Sequence, residues 1–413
     1  MAKTKIKLVR VSDSGEPKAE CLRVLMMSVA GELGGAERSY FEVMRALPRE
    51  RIQPYACVPP DTALERLCHR AEFPVYSVHL RRFRRTTNPF VMAGQVKALY
   101  QGSRVISDIC DKRNIDIVHA NNDSAALIGW EVARVAKVPF VWHCRDLVPM
   151  HGFARILSGA ASAVVAISKT VEQHLIKEGV SAQKVRRIDN GIDFGRIVRP
   201  DHNGEVRKRI RAELGIGARQ PVVLCVGAFV PWKKLDVFIE TMAALRSRIP
   251  DAAGLLAGSG QLSQNEVYEE VLRDRAKALK LDSSALRFLG ERDDVPDMMA
   301  AADILISCSE SEPFGRVMAE AGAAGLPVVA NGSGGAREIV EHGVTGILVE
   351  PGDREALVGA CVRLLEDEAM RGEFGAAARV RVQKLFDVQR TAGELASLFE
   401  SIVKRPEAKS LFQ

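Results

Sequence analysis

Short apolar runs alternate with helix-patterned stretches along all 413 residues, and the alternation starts afresh after residue 200. Residues 22–27 form the first strand-like run, followed by a Gly-rich turn and a helical pattern opening near Ala36. Further runs stand at 54–58, 75–78, 115–119, 140–143 and 164–167, with helical stretches such as 125–136 between them. The second series has runs at 222–227, 254–258, 286–290, 304–307 and 327–330, and a helical stretch at 235–247. Strands separated by helices pair in parallel, because each crossover brings the chain back to the same end of the sheet. Two such series predict an α/β chain of two doubly wound, Rossmann-like domains with a cleft between them. Ligands of such sheets bind beyond the carboxyl ends of the strands. Asn190, Gly191, Ile192 and Asp193 mark the boundary, and the polar stretch 200–204 reads as a hinge.

Several classes of protein are excluded early. A content of 47% hydrophobic and 27% charged residues is that of a folded globular chain. The longest bland stretch, 156–167, is too short and too rich in Gly, Ala and Ser to cross a bilayer. Lys3, Lys5 and Lys7 precede polar residues rather than an apolar run, so no secretory signal is read. The eight cysteines contain no Cys-x-x-Cys, which argues against a zinc site or disulfide framework and for a reducing, cytoplasmic compartment. Charge is uneven: residues 1–200 carry +11 and the remainder −5. Arg81, Arg82, Arg84 and Arg85 cluster around Phe83 in the basic half, as a solvated loop or a contact for an anionic acceptor or membrane surface. No recognised nucleic-acid motif accompanies the basic excess.

The densest chemical signal is the segment 309–320, where Glu312 and Glu320 stand eight residues apart around Pro313, Phe314 and Gly315. Pro313 favours a helix start, which would place Glu312 at the helix mouth and Glu320 two turns inside. At ~1.5 Å per residue the two lie roughly 12 Å apart, a span that suits a nucleotide sugar with one carboxylate at each hydroxyl-rich ring. The N–H groups near Phe314, Gly315 and Arg316 would then face hexose and phosphates. The plain alternative is an acidic residue favouring the helix dipole and a solvated surface glutamate. Asp193, Phe194 and Gly195 spell a kinase-like triplet without the other kinase motifs, and Gly258-Ser259-Gly260 lacks the third glycine of a dinucleotide fingerprint.

The Glu312-x7-Glu320 segment is followed by Ala-Gly-Leu-Pro-Val-Val-Ala, then Gly334, Gly335, Ala336, Arg337 and Glu338. Next come Gly343-x-Thr-Gly-Ile-Leu-Val and Pro351-Gly352-Asp353. With Gly34-Gly35-Ala36-Glu37-Arg38 upstream, this order and spacing resembles the family 4 retaining glycosyltransferases, of GT-B fold, over nearly the whole chain. The resemblance implies a flexible basic tail at 1–20, an acceptor-binding domain at 21–196 and a nucleotide-sugar-binding domain at 197–385. It also implies a last helix within 386–413 that packs back on the N-terminal domain.

Carried over by position, the family's hexose contact falls on Glu312 and its ribose contact on Glu320. Phe314, Gly315, Arg316 and Val317 line the sugar and phosphates, Phe288 and Gly290 meet the base, and Gly34 and Gly35 approach the diphosphate. Lys233, beyond Gly227 in the same donor-binding segment, matches the diphosphate lysine. His143 matches the histidine near the reacting hexose. Ala228 stands where the family carries an arginine, and Lys234, Arg316 or Arg145 are candidate replacements; Arg145 is also an acceptor-side candidate. For Lys233 the plain alternative is a solvated lysine, and for His143 a capped strand end.

The resemblance implies a retaining hexosyltransferase that uses a UDP- or GDP-linked sugar and a glycan, lipid-linked or small-molecule acceptor. It implies front-face substitution in which the leaving phosphate assists the acceptor hydroxyl. No Asp-x-Asp occurs, so neither a metal nor another cofactor is expected. Expected partners are the donor, the acceptor and an anionic membrane at its inner face, with no nucleic acid. The alternatives are a catalytically silent sugar-nucleotide-binding subunit, encouraged by Ala228, a phosphorylase or a sugar-nucleotide epimerase. A phosphorylase needs a pyridoxal lysine in a much longer chain, and the epimerases lack the Glu-x7-Glu segment.

Overall fold

The computed structural model describes residues 21–30, 33–80, 87–197, 204–260 and 266–404. The 1–20 tail, the hinge stretch up to residue 203 and residues 405–413 lie outside the described residues. The chain forms two compact units: Met1–Gly191 with Val388–Gln413, and Ile192–Asp387.

The first unit is built on β1 (Leu22–Met27), β2 (Ile52–Val58), β3 (Val75–Ser77), β4 (Ile117–Ala120), β5 (Phe140–Cys144), β6 (Ala163–Ala166) and β7 (Val185–Arg187). They pair in parallel in the order β3-β2-β1-β4-β5-β6-β7. Strands β4, β5 and β6 are buried throughout, which is why they read as unbroken apolar runs. The apolar alternation leaves β7 unmarked because it is an edge strand whose Arg186 and Arg187 are exposed. Strand β2 opens at Ile52, two residues before the run that begins at Pro54.

The last helix, Val388–Val403, belongs to this first unit. It buries Val388, Ala392, Leu395, Ala396, Phe399 and Ile402, the spacing of one helical face. That face joins the core formed by Val24, Met26, Ile117, Val141, Val165 and the helix Gly35–Ala46. Each fully buried Leu or Phe there contributes roughly 1.5–3 kcal/mol. Arg51 fixes the helix from β2's edge, donating from Nε and Nη2 to the two carboxylate oxygens of Glu400 at 2.8 and 2.9 Å.

The second unit repeats the plan with β8 (Val222–Val226), β9 (Ala253–Ala257), β10 (Leu286–Gly290), β11 (Ile304–Ser307), β12 (Val328–Asn331) and β13 (Gly346–Val349). Their order is β10-β9-β8-β11-β12-β13, again parallel. In each sheet the winding reverses once, between β1 and β4 and between β8 and β11, which is where doubly wound folds place their ligands.

Candidate functional site

In the second unit, two buried carboxylates are organised by the loop that follows β11. The helix expected from Pro313 starts only at Arg316, three residues later. Glu312 therefore stands in the preceding loop rather than at the helix mouth. Gly315 at φ 97° caps the helix, and a side chain there would strike the Met318 methyl group. The 312–314 segment is instead tied to the loop after β12. Glu312 bridges to Gly334, and Gly335 N–H donates to the Glu312 carbonyl at 2.8 Å. A Cβ on Gly335 would lie 2.1 Å from the Phe314 carbonyl oxygen, so glycine is the residue that permits this approach. Phe314 is buried edge-on against Phe386, ring centroids 5.3 Å apart. Val317 is half-buried in the first turn of the helix Arg316–Ala324.

Glu312 is 8% exposed and its Oε1 accepts from Lys233 Nζ at 2.5 Å and from Ser309 Oγ at 2.7 Å. Lys233 reaches it from the short turn Pro231–Lys233 after β8, its stem packed over Gly227 and its ammonium 4.4 Å from the Trp232 ring centre. Glu320, 5% exposed, accepts at Oε1 from Arg316 Nε at 2.9 Å and Arg196 Nη2 at 2.6 Å. Neither glutamate is the solvated surface residue of the plain reading, and Lys233 is not a solvated lysine. Burial of each carboxylate is compensated by cations, as the cost of desolvating charge requires.

Two of the three candidate replacements for an arginine at 228 are engaged within this unit. Lys234 pairs with Glu310 at 2.7 Å and Arg316 with Glu320. At β10, Phe288 is covered by the Arg273 guanidinium, and the Gly290 carbonyl accepts from Gly258 N–H at 2.7 Å.

In the first unit, His143 lies fully buried on β5. Its Nδ1 is 2.9 Å from Nε2 of His119 on β4, the rings nearly perpendicular at 78°. His119 in turn meets Phe399 edge-on at 5.7 Å. Burial, with the Arg145 charge added, pushes His119 down to about 3 and His143 well below the usual imidazole range, so both are neutral. Arg145 is buried, donating from Nε to Asn121 Oδ1 at 2.7 Å and from Nη1 to Asn190 Oδ1 at 2.6 Å. Asn121 also donates to the Ala36 carbonyl in the first turn of the helix Gly35–Ala46. Gly34 caps that helix with an ordinary extended backbone, and Glu37 is buried beneath it. Burial, and next the Asp146 charge, raises Asp123 to about 7 while Trp142 Nε1 donates to it at 3.0 Å.

Arg81, Arg82, Arg84 and Arg85 lie outside the described residues. Among the described residues no group of three His, Cys, Asp or Glu side chains is placed to hold a metal ion. No described helix is long and apolar enough to cross a membrane. His119, Arg196 and Asn121 lay outside the motifs, and Ser309 and Asn190 lay inside quoted segments without being given a role. Of these His119 carried a signal, a histidine ending an apolar run as His143 ends the next, although its register partner is Val141.

Comparison with known proteins follows the same two-part division. The profile of glycosyl transferases group 1 matches residues 206–381, and that of glycosyltransferase family 4 matches residues 33–196. The N-acetyl-alpha-D-glucosaminyl L-malate synthase of Bacillus anthracis is 24% identical over 314 residues, 72% of this chain and 78% of that protein. The UDP-Gal:alpha-D-GlcNAc-diphosphoundecaprenol alpha-1,3-galactosyltransferase of Escherichia coli is 24% identical over 312 residues, 71% of this chain and 77% of that protein. Among solved structures, Anabaena HepE in complex with UDP and glucose superposes with a TM-score of 0.79 at 27% identity. That match covers 92% of this chain and 100% of HepE.

Proposed function

This chain belongs to glycosyltransferase family 4, with two Rossmann-like domains of the GT-B type, and from that premise we propose a retaining, metal-independent hexosyltransferase. It is a glycosyltransferase that uses a nucleotide-sugar donor; the donor is UDP- or GDP-linked, and the acceptor a glycan, lipid-linked or small molecule. The observation that carries the reading is the pair of buried, cation-balanced carboxylates, Glu312 with Lys233 and Glu320 with Arg316 and Arg196, on either side of Gly315.

Each group has a task in that reaction. Lys233 neutralises charge on the departing diphosphate, the largest electrostatic demand of the transfer. Glu312 accepts from hexose hydroxyls and Glu320 from the ribose. The opening turn of the helix Arg316–Ala324 offers backbone N–H groups to the phosphates. The leaving phosphate takes the acceptor's proton on the same face, so the enzyme needs no side-chain nucleophile. His143, held neutral, serves as a hydrogen-bonding group for the hexose. The protein is placed in the cytoplasm, peripheral at the inner membrane face. Supporting this, Phe90, Val91, Met92, Val96 and Tyr100 are exposed on the first half of the helix Pro89–Arg113, which follows the Arg81 to Arg85 cluster in sequence.

The test is a thermal-shift screen of the purified chain against UDP- and GDP-sugars. It is followed by NMR of the anomeric configuration of the product formed in EDTA. A shift with one donor and a product of unchanged configuration is expected. An inverted product, or turnover abolished by EDTA and restored by a divalent cation, refutes the finer reading. Binding without hydrolysis or transfer identifies the silent subunit instead.

A further inference from the structure

The two buried histidines of the first unit are linked, and the link determines which nitrogen of His143 carries a proton. His119 Nε2 and His143 Nδ1 share one hydrogen bond at 2.9 Å. The remaining ring nitrogens, His119 Nδ1 and His143 Nε2, have no hydrogen-bond partner among the described residues. Two neutral imidazoles carry two N–H protons between them, one of which lies in the shared bond. The other is on His119 Nδ1 or on His143 Nε2, and the two arrangements differ in what they strand.

Beyond its bond to His143, the His119 ring packs against apolar groups. Its register neighbours are Met26 on β1 and Val141 on β5, and the Phe399 ring covers it. Protonated, either outer nitrogen is a buried N–H without an acceptor among the described residues, so a bound sugar oxygen decides between the two arrangements. Only His143 Nε2 stands where a substrate oxygen is proposed to reach, so only a proton there gains an acceptor, while His119 beneath Phe399 keeps a bare Nδ1. We infer that His119 is the positioning residue of His143: its Nε2–H donates to His143 Nδ1 and fixes His143 as the Nε2–H tautomer. His143 is thereby a hydrogen-bond donor to a sugar oxygen and not a proton acceptor. The last helix takes part, since Phe399 packs against the His119 ring and holds the donor in line.

The inference rests on the proposed role of His143 near the hexose, and its first readout needs a bound nucleotide sugar but no turnover. Protein labelled with 15N-histidine shows the tautomer directly through the one- and two-bond couplings of each ring. The expected spectrum has His143 as Nε2–H and His119 as Nε2–H; a His143 protonated at Nδ1 overturns the inference. Kinetics supply the second readout. His119→Leu is expected to lower kcat at least roughly tenfold with donor KM within about threefold, a loss of ~1.4 kcal/mol confined to the transition state. His119→Gln, which keeps an N–H at similar reach, is expected to recover most of kcat and to retain the His143 tautomer. Unchanged kcat in His119→Leu, or no recovery in a folded His119→Gln, overturns the positioning role. If His119→Leu does not fold, the wild-type spectrum and the His119→Gln kinetics still decide. A wild-type chain without turnover on any donor defeats the transferase reading and leaves the tautomer measurement to judge this one.

Discussion

The β4–β5 end of the first sheet lies one strand beyond that sheet's reversal and the β8–β11 end of the second lies at its own, and the two bury their polar groups by opposite means. In the first, two imidazoles lie at full burial by remaining uncharged and sharing one hydrogen bond. In the second, two carboxylates lie at nearly full burial by pairing with cations from a neighbouring turn and from helices. Neutral groups cost little to desolvate and respond to an incoming ligand by orientation. Ion pairs are costly to desolvate and respond by exchange of partners. On the proposed function, a diphosphate arriving near Lys233 would share an ammonium already held by Glu312 and so loosen Glu312 for the hexose. The paired state keeps the site balanced in charge until the anionic donor comes.

The largest way to break this comparison is acid. For both histidines the folded pKa lies below the unfolded value near 6.5. Stability from their neutrality is complete above that value. It is lost as pH falls below it, because the unfolded chain binds protons the folded one refuses. Asp123 acts in the opposite sense, its raised pKa making the fold more stable as pH falls through about 7. Two protons against one leaves a net loss. Peptide-resolved hydrogen exchange, corrected for intrinsic rates, should therefore show β4 and β5 losing protection between pH 6.5 and 5 while β8 and β11 keep theirs. Asp123→Asn should steepen the loss. Equal behaviour of the two sheets would falsify the neutral-versus-ionic distinction.

A smaller effect is expected from the carboxylates. Glu320→Ala strands two arginines and should lower stability by about 3 kcal/mol and raise donor KM. Glu312→Gln, isosteric and less disruptive, should act mainly on kcat, at the ~1.5–3 kcal/mol of a charge-assisted bond. Calorimetry and steady-state kinetics separate the two, and indistinguishable variants would mean that the carboxylates share one role. Lys233→Ala comes next, with kcat/KM down roughly tenfold or more; undiminished nucleoside-diphosphate affinity and turnover would remove it from the site. The smallest effect is that of Ala228→Arg, where activity should hold or rise modestly, and a sharp fall would show that the phosphate geometry departs from the family pattern.

What the residues made legible follows from the same physics. Central strands such as β5 and β8 are buried on both faces and so announce themselves as apolar runs. The edge strand β7 does not, because it carries arginines in place of apolar residues. The helix start near Glu312 was misplaced because Pro313 is a local signal. The contacts that fix the loop there, Gly334 and Gly335 against residues 312 and 314, come from the loop after the next strand. Glu312 and Glu320 were marked by their spacing, and Lys233 by the family resemblance. Their partners Ser309 and Arg196 were not, since a serine three residues away and an arginine 124 residues away form no pattern.

The second unit begins at Ile192 and ends at Asp387, and those two residues are bridged, with Ile192 N–H donating to the Phe386 carbonyl at 2.7 Å. It is thus an insertion between the body of the first unit and its covering helix Val388–Val403. During synthesis the chain leaves the ribosome in order, and domains fold as they emerge complete. The first sheet to be made is then the last to be closed. Leu395 and Phe399, which seal the core around β1, β4 and β5, are translated only after the whole second unit. Until then the apolar face built around Val24, Met26 and Val141 has no lid. The half of the protein made earliest is the half that waits, and it waits for the final few turns of helix.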